Sequence, residues 1–211
     1  MSLRVRTHLF AAGAVLIWAA AATAGFAVLT RYKSTPGEQD GAPVRWPAKS
    51  RLELAADRPT LVLFAHPHCP CTHASISELA RLMARFTGRM ATRIVIVRPE
   101  GVGQGWDDTE LRRRAATVEG ATVILDEGGA ESARFQAAVS GFTVLYDAHG
   151  TLRFAGGITS ARGHEGDSFG QRRVAAVLAG TATDRSDAPV FGCSLVGADH
   201  ARMSHPVEEG S

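Results

Sequence analysis

The sequence predicts an α/β domain, a central mixed sheet flanked by helices, carried behind one N-terminal transmembrane helix. Three observations predict it. Residues 9–30 form an uncharged apolar stretch just after Arg4 and Arg6. Further on, short apolar runs alternate with amphipathic runs of helical period, the pattern of parallel strand–helix–strand units. Near the end, two apolar runs flank Asp147-Ala148-His149-Gly150, turn residues that signal an antiparallel hairpin.

The apolar stretch comes first. A helix of that length rises roughly 30 Å, enough to cross the hydrocarbon core. Cleaved signal peptides have shorter apolar cores, although Ala22-Thr23-Ala24 offers a cleavage site. Length favours an uncleaved anchor. Residues 1–8 then form a short cytoplasmic N-terminus and residues 9–30 the span. The remainder is expected outside the cytoplasm (in the periplasm), where disulfide chemistry is at home. Arg31 and Lys33 nearly balance Arg4 and Arg6, so charge gives the orientation little support. Residues 31–50 contain Pro36, Gly37, Gly41, Pro43 and Pro47 and read as a tether. The folded domain is expected over 51–180, followed by an irregular tail over 181–211 that is disordered after Ala201.

Within the domain, residues 60–65 are a short apolar run suited to a buried central strand. Ile76, Leu79, Ala80 and Met83 then recur at helical spacing, with Glu78, Arg81 and Arg85 elsewhere around that helix. Residues 92–97 are rich in β-branched side chains and predict a second strand. Asp107 or Asp108 is positioned to cap a helix over 109–118. Residues 121–125 read as a strand and 130–139 as a helix. Residues 142–146 and 151–155 are the arms of the hairpin. A glycine-rich loop, 156–166, precedes a last helix capped by Asp167 or Ser168 and running to Leu178.

The chemistry concentrates at Cys69-Pro70-Cys71, between the first strand and the first helix. Helix N-termini present unpaired N–H groups and a positive dipole end. A thiolate placed there is stabilised, which makes it nucleophilic. With the helix starting at Pro70, the proline takes the first helical position and Cys69 the cap. Cys69 is then the candidate nucleophile and Cys71 the candidate resolving thiol. A disulfide across one residue closes a small strained ring, which favours an oxidising poise. The third thiol, Cys193, is either an alternative resolving thiol, a metal ligand or a buried structural thiol. Three cysteines exclude a disulfide scaffold. The net charge of +2 is spread along the chain and Arg112-Arg113-Arg114 reads as a solvated helix face, so nothing marks a nucleic-acid binder.

Leu61-Val62-Leu63-Phe64-Ala65-His66-Pro67-His68-Cys69 resembles the strand-to-cysteine segment of the thioredoxin superfamily. Ser140-Gly141-Phe142-Thr143-Val144-Leu145-Tyr146-Asp147 with Gly150 is similar to the strand after that fold's cis-proline. The resemblance covers roughly residues 51–180, the size of one domain. It implies a thioredoxin-like fold of the membrane-tethered branch that includes TlpA-like and peroxiredoxin-like proteins. His66-Pro67-His68-Cys69-Pro70-Cys71, Gly156-Gly157-Ile158-Thr159 and Arg162-Gly163-His164-Glu165-Gly166-Asp167 look like the RedB group. Three positions depart from the superfamily pattern. Only Pro70 separates the cysteines, Gly141 stands at the cis-proline position, and Leu63 stands where thioredoxins proper carry a buried acid. In the superfamily the cis-proline helps keep metals off the cysteines, so its absence here leaves metal binding more open.

The resemblance implies thiol–disulfide exchange with cysteine-containing extracytoplasmic proteins or a membrane electron donor, and no cofactor. His68, His73, Arg162 and His164 are the candidates for tuning the thiols. Two other readings stay open. Cys69, Cys71, His66 and His68 are ligands that suit copper or zinc, though at no standard spacing. The domain is alternatively redox-inert and serves interaction only.

Overall fold

The structure, a computed structural model, describes residues 3–195 and divides into two units, 1–35 and 36–211. The first is a single helix, α1 (Leu3–Ser34), whose segment Ala12–Ser34 has a mean hydropathy of 2.0. Leu16, Ile17, Trp18 and Phe26 are all exposed on it. A helix of this length and hydropathy suits a bilayer span or a signal sequence.

The second unit is built on a six-stranded mixed sheet. In chain order its elements are β1 (Thr60–Ala65), α2 (Thr72–Arg85), β2 (Ala91–Arg98), α3 (Glu110–Ala116), β3 (Ala121–Glu127), α4 (Ala130–Arg134), β4 (Phe142–Tyr146), β5 (Leu152–Gly157), α5 (Phe169–Leu178) and β6 (Ser186–Asp187). The strand order is β3-β2-β1-β4-β5-β6. β1, β2 and β3 run parallel, β4 returns antiparallel beside β1, and β5 completes the hairpin. β1 is central and wholly buried. Its residues alternate between faces, as a strand requires. Leu61 and Leu63 join Leu79, Ile94, Phe154 and Val174 on one side of the sheet. Val62 and Phe64 join Phe135, Phe142, Val144 and Tyr146 on the other.

The capping chemistry is partly as expected. Ser168 caps α5, its hydroxyl accepting from the Gln171 N–H at 3.1 Å. α3 is capped by Thr109, whereas Asp107 binds Arg112 and Asp108 binds Arg113. α4 ends at Arg134 and does not continue to 139, because Gln136 turns the chain at φ +56°. The hairpin turn forms around Asp147, whose Oδ1 accepts from the N–H groups of His149 and Thr151, both at 2.9 Å.

Two stretches expected outside the domain are laid against it. Residues 36–50 are not a free tether. Leu152 N–H donates to the Val44 carbonyl at 3.0 Å and Tyr146 Oη to the Pro43 carbonyl at 2.7 Å. Trp46 packs edge-on against Phe135 and Tyr146, with centroids 5.0 and 5.2 Å away. Residues 181–195 are likewise docked: Ala188 N–H donates to the Ala155 carbonyl at 3.0 Å, and Val190 and Leu195 are buried. The expectation of disorder after Ala201 lies outside the described residues.

Candidate functional site

β1 ends at Ala65, and the chain enters α2 through a short turn. Cys69 N–H donates to the His66 carbonyl at 3.0 Å, and Thr72 N–H donates to the Cys69 carbonyl at 3.2 Å. The helix therefore begins at Thr72, not Pro70. Cys71 occupies the cap position at φ −66°, ψ −28°, and Cys69 lies in the turn before it. Antiparallel pairing brings the start of β4 to the end of β1, where Gly141 N–H donates to the Phe64 carbonyl at 2.7 Å. Gly141 has φ +92°, a conformation glycine adopts at no steric cost. Buried Ser140 ties the two strand ends together. Its Oγ accepts from the His66 N–H at 2.8 Å and lies 2.7 Å from Thr72 Oγ1.

A third segment completes the site. Residues 192–195 run antiparallel to residues 138–140, through a bridge between Val139 and Ser194. Ser140 N–H donates to the Cys193 carbonyl and Leu195 N–H to the Ala138 carbonyl, both at 2.8 Å. Gly192 makes this approach possible, because a Cβ there would sit 1.8 Å from the Ser140 carbonyl oxygen. The Arg162 guanidinium donates to the Gly192 carbonyl. Cys193, expected in an irregular tail, thereby joins Cys69 and Cys71.

The three thiols share hydrogen bonds, and these set their acidities. Cys69 is only 1 % exposed. Hydrogen bonds from the Cys193 side chain, then Cys71 and Thr72, hold its thiol far below the ordinary range, against the opposing effect of burial. For Cys71 the Cys193 hydrogen bond acts downward. The hydrogen bond to Cys69, burial and the Cys69 charge outweigh it, so the thiol is pushed up; Arg162 partly opposes this. Cys193 is pushed up by its hydrogen bonds to Cys69 and Cys71, by burial and by their charge. The arrangement thus favours one thiolate, on Cys69, solvated by two neutral thiols. The sequence places the stabilisation of Cys69 at the helix terminus; in the structure the largest contribution comes from Cys193.

The other candidates divide. Arg162 reaches the cluster. His164 is exposed on the same loop and takes no part in the interactions that shift the thiols. His66 is buried and His68 exposed, because the strand stops before them. His66 Nδ1 accepts from the His68 N–H at 3.2 Å, His68 Nε2 lies 2.8 Å from the Trp106 carbonyl, and both rings pack on Trp106. His73 lies in the first turn of α2, half-buried. Among the described residues no group of three or more His, Cys, Asp or Glu side chains is placed to hold a metal ion. The ligand set Cys69, Cys71, His66 and His68 is therefore not assembled, since the histidines turn to Trp106.

Glu78 was expected around the polar part of its helix but is fully buried. It accepts from the Gly166 N–H at 2.7 Å, from Gln171 Nε2 at 2.5 Å and from Arg81, pinning the loop that carries Arg162. Its burial had no local signal, since two of its partners lie some ninety residues away. A separate cleft lined by Ile76, Ser77, Ala80, Met83, Arg114 and Glu165 contains no thiol.

The fold is thioredoxin-like, with the cysteine-bearing strand at the centre of the sheet and its helix packed on one face. No protein-family model matches the chain, and no curated protein matches it. Among solved structures, a hypothetical protein from Sinorhizobium meliloti is 23 % identical at a TM-score of 0.54, over 76 % of this chain and 93 % of that one. An uncharacterized conserved protein from Geobacillus kaustophilus is 16 % identical at 0.55, over 77 % and 92 %. Both share the fold. A secreted disulfide oxidoreductase from Mycobacterium tuberculosis overlaps at a TM-score of 0.43 with 17 % identity, over 60 % and 84 %.

Proposed function

We propose that this chain is a membrane-anchored thiol–disulfide oxidoreductase whose thioredoxin-like domain works outside the cytoplasm. The observation that carries this reading is a buried cysteine, Cys69, in the turn that leads into α2, with Cys71 at the helix cap and the Cys193 segment docked beside it. Attack by a thiolate on a disulfide gives a mixed disulfide, which a second thiol resolves. Both roles fall within the cluster: Cys69 attacks, and one of its two neighbouring thiols, Cys71 in the motif or Cys193 beside it, resolves. Arg162 sits where positive charge favours the developing thiolate on Cys71. Substrates would be cysteine-containing extracytoplasmic proteins, with a membrane electron donor or acceptor restoring the starting state. The resemblance of the His66–Cys71 and Arg162–Asp167 segments to the RedB group of the tethered, TlpA-like branch supports the same assignment.

The test is exchange with a disulfide substrate by the full-length chain in detergent, before and after Cys69→Ser. Wild type should exchange and the variant should not. Full exchange by Cys69→Ser refutes the role of Cys69. Anchoring is tested by fractionation and by the N-terminus of the mature chain. A chain recovered with the membrane and beginning before Ala24 supports an anchor, and a soluble chain beginning after Ala24 shows a cleaved signal.

A further inference from the structure

Cys193 belongs to no local motif, yet the structure brings it to the nucleophile by a specific route. Gly192 passes beneath the Ser140 carbonyl at a distance no other residue tolerates. Two backbone hydrogen bonds then lock residues 193–195 beside residues 138–140. Leu195 and Val190, on either side, are buried in the core that also holds Phe142 and Val144. Ser140 itself hydrogen-bonds the backbone of His66 and the hydroxyl of Thr72, which flank the turn bearing Cys69. One serine thus registers the Cys193 segment against the Cys69 turn.

We propose that Cys193, rather than Cys71, is the thiol that closes on Cys69, so that the oxidised protein carries a Cys69–Cys193 disulfide across the docked segment 190–195. This rests on the thiol–disulfide exchange reading. The geometry favours Cys193 for two reasons. Cys71 lies at helical angles in a turn closed by the Thr72–Cys69 hydrogen bond, and Pro70 between the cysteines has a locked φ. Only this one residue separates the two thiols, so a Cys69–Cys71 bond closes a small, strained ring. Cys193 approaches from a separate segment, registered beside the Cys69 turn through Ser140, and its bond to Cys69 closes no such small ring.

The Cys69 thiolate attacks a substrate disulfide R–S–S–R′. A Cys69–SR bond forms, the S–S bond breaks, and R′S⁻ leaves and takes a proton from water. Cys193 loses its thiol proton to water, and its sulfur attacks Cys69. The Cys69–Cys193 bond forms, and RS⁻ leaves and is protonated. Two protein thiols are oxidised by two electrons, and one substrate disulfide is reduced to two thiols. The order is built in. While Cys69 is charged, its hydrogen bond and charge keep Cys193 protonated. Once Cys69 is in the mixed disulfide that charge is gone, and Cys193 is free to ionise.

The experiment oxidises the full-length chain in detergent with glutathione disulfide, quenches with acid, blocks free thiols and maps disulfides by mass spectrometry. A peptide pair joining Cys69 to Cys193 is expected to dominate. Cys71→Ser should keep a reversible two-electron transition. Cys193→Ser should lose the second step and accumulate glutathione on Cys69. Gly192→Ala, which keeps every thiol but displaces the segment, should shift the products toward Cys69–Cys71; circular-dichroism spectra check that all three variants fold. A Cys69–Cys71 bond in wild type, with unimpaired oxidation of Cys193→Ser, overturns the proposal and leaves thiol exchange standing. Failure of Cys69 to take up glutathione in any variant overturns the exchange reading itself.

Discussion

Gly192→Ala tests whether the C-terminal segment is fastened to the site or merely adjacent to it. A Cβ at residue 192 would lie 1.8 Å from the Ser140 carbonyl oxygen, 2.9 Å from the Ser140 carbonyl carbon and 3.2 Å from Val139 Cγ1. Two of these three neighbours are backbone atoms anchored at the start of β4, so the segment must give way. Relieving the contact takes about 1.5 Å of movement. That is enough to break the two 2.8 Å hydrogen bonds through Ser140 and Leu195 N–H. Each is worth about 1 kcal/mol net. Overpacking adds about 1 to 3 kcal/mol. A total of about 3 to 5 kcal/mol lowers the Tm of a domain this size by about 6 to 20 °C, unless the segment detaches and spares the rest. Detachment has its own readout: Cys193 becomes accessible and Cys69 loses its largest thiolate-stabilising partner. The assay is a thermal melt by circular dichroism paired with timed iodoacetamide labelling of each cysteine. A variant that melts with wild type and labels at Cys193 no faster refutes the fastening argument.

Labelling of Cys69 should hold nearly the same rate from about pH 8 down to about pH 6, because the depressed thiol stays ionised there; in Cys193→Ala the rate should fall over that interval. Stability carries the matching sign. The contribution of Cys69 is present above the ordinary thiol value and is lost as pH falls toward its depressed folded value. Those of Cys71 and Cys193, both raised, are present below that value and lost as pH rises. The urea midpoint of the reduced protein should therefore decline above about pH 8.5, and less steeply once Cys193 is alanine. Glu78→Ala should cost about 3 kcal/mol, since it strips a buried acceptor from Gly166, Gln171 and Arg81; denaturant unfolding measures it, and a cost under about 0.5 kcal/mol contradicts the loop-pinning role. Trp46→Ala should cost about 2 kcal/mol through its lost contacts with Phe135 and Tyr146. An unchanged melt would restore residues 36–50 to the status of a tether.

What the sequence makes legible here is what local chemistry decides. The apolar run 60–65 reads as a buried strand because every residue in it is buried. Asp147 and Ser168 announce a turn and a cap because the groups they bind lie within four residues. The rest depends on partners that no window contains. Pro36 to Pro47 looks like a linker by composition, and becomes part of the domain only because Phe135, Tyr146 and Leu152 offer it rings and a backbone edge. Glu78 has the spacing of an exposed side chain, and is buried because a glycine-rich loop brings Gly166 N–H over it. The two histidines before Cys69 look like metal ligands at a strand end. The strand stops one residue before His66, and Trp106, from another loop, collects both rings.

The site shows the same division with a chemical consequence. Cys69 and Cys71 are adjacent by sequence, and their position before a helix suffices to suggest a reactive thiolate. Of the helix itself, only the Thr72 side chain contributes to that acidity, and its share is smaller than those of the neighbouring thiols. The larger source is a thiol more than a hundred residues away, held by a glycine that must stay small and a serine that must stay hydrogen-bonded. Ser140 binds the Cys69 turn through its side chain and the Cys193 segment through its backbone N–H. Any change that loosens Ser140 therefore acts twice, freeing the nucleophile's turn and withdrawing the thiol that keeps it ionised. Tuning and folding are thus coupled through one residue that carries no reactive group. Mutations there should raise the pH at which Cys69 labels and lower the stability together, whereas Arg162→Gln, which loses a charge opposite Cys71, should alter Cys71 reactivity more than Cys69 ionisation.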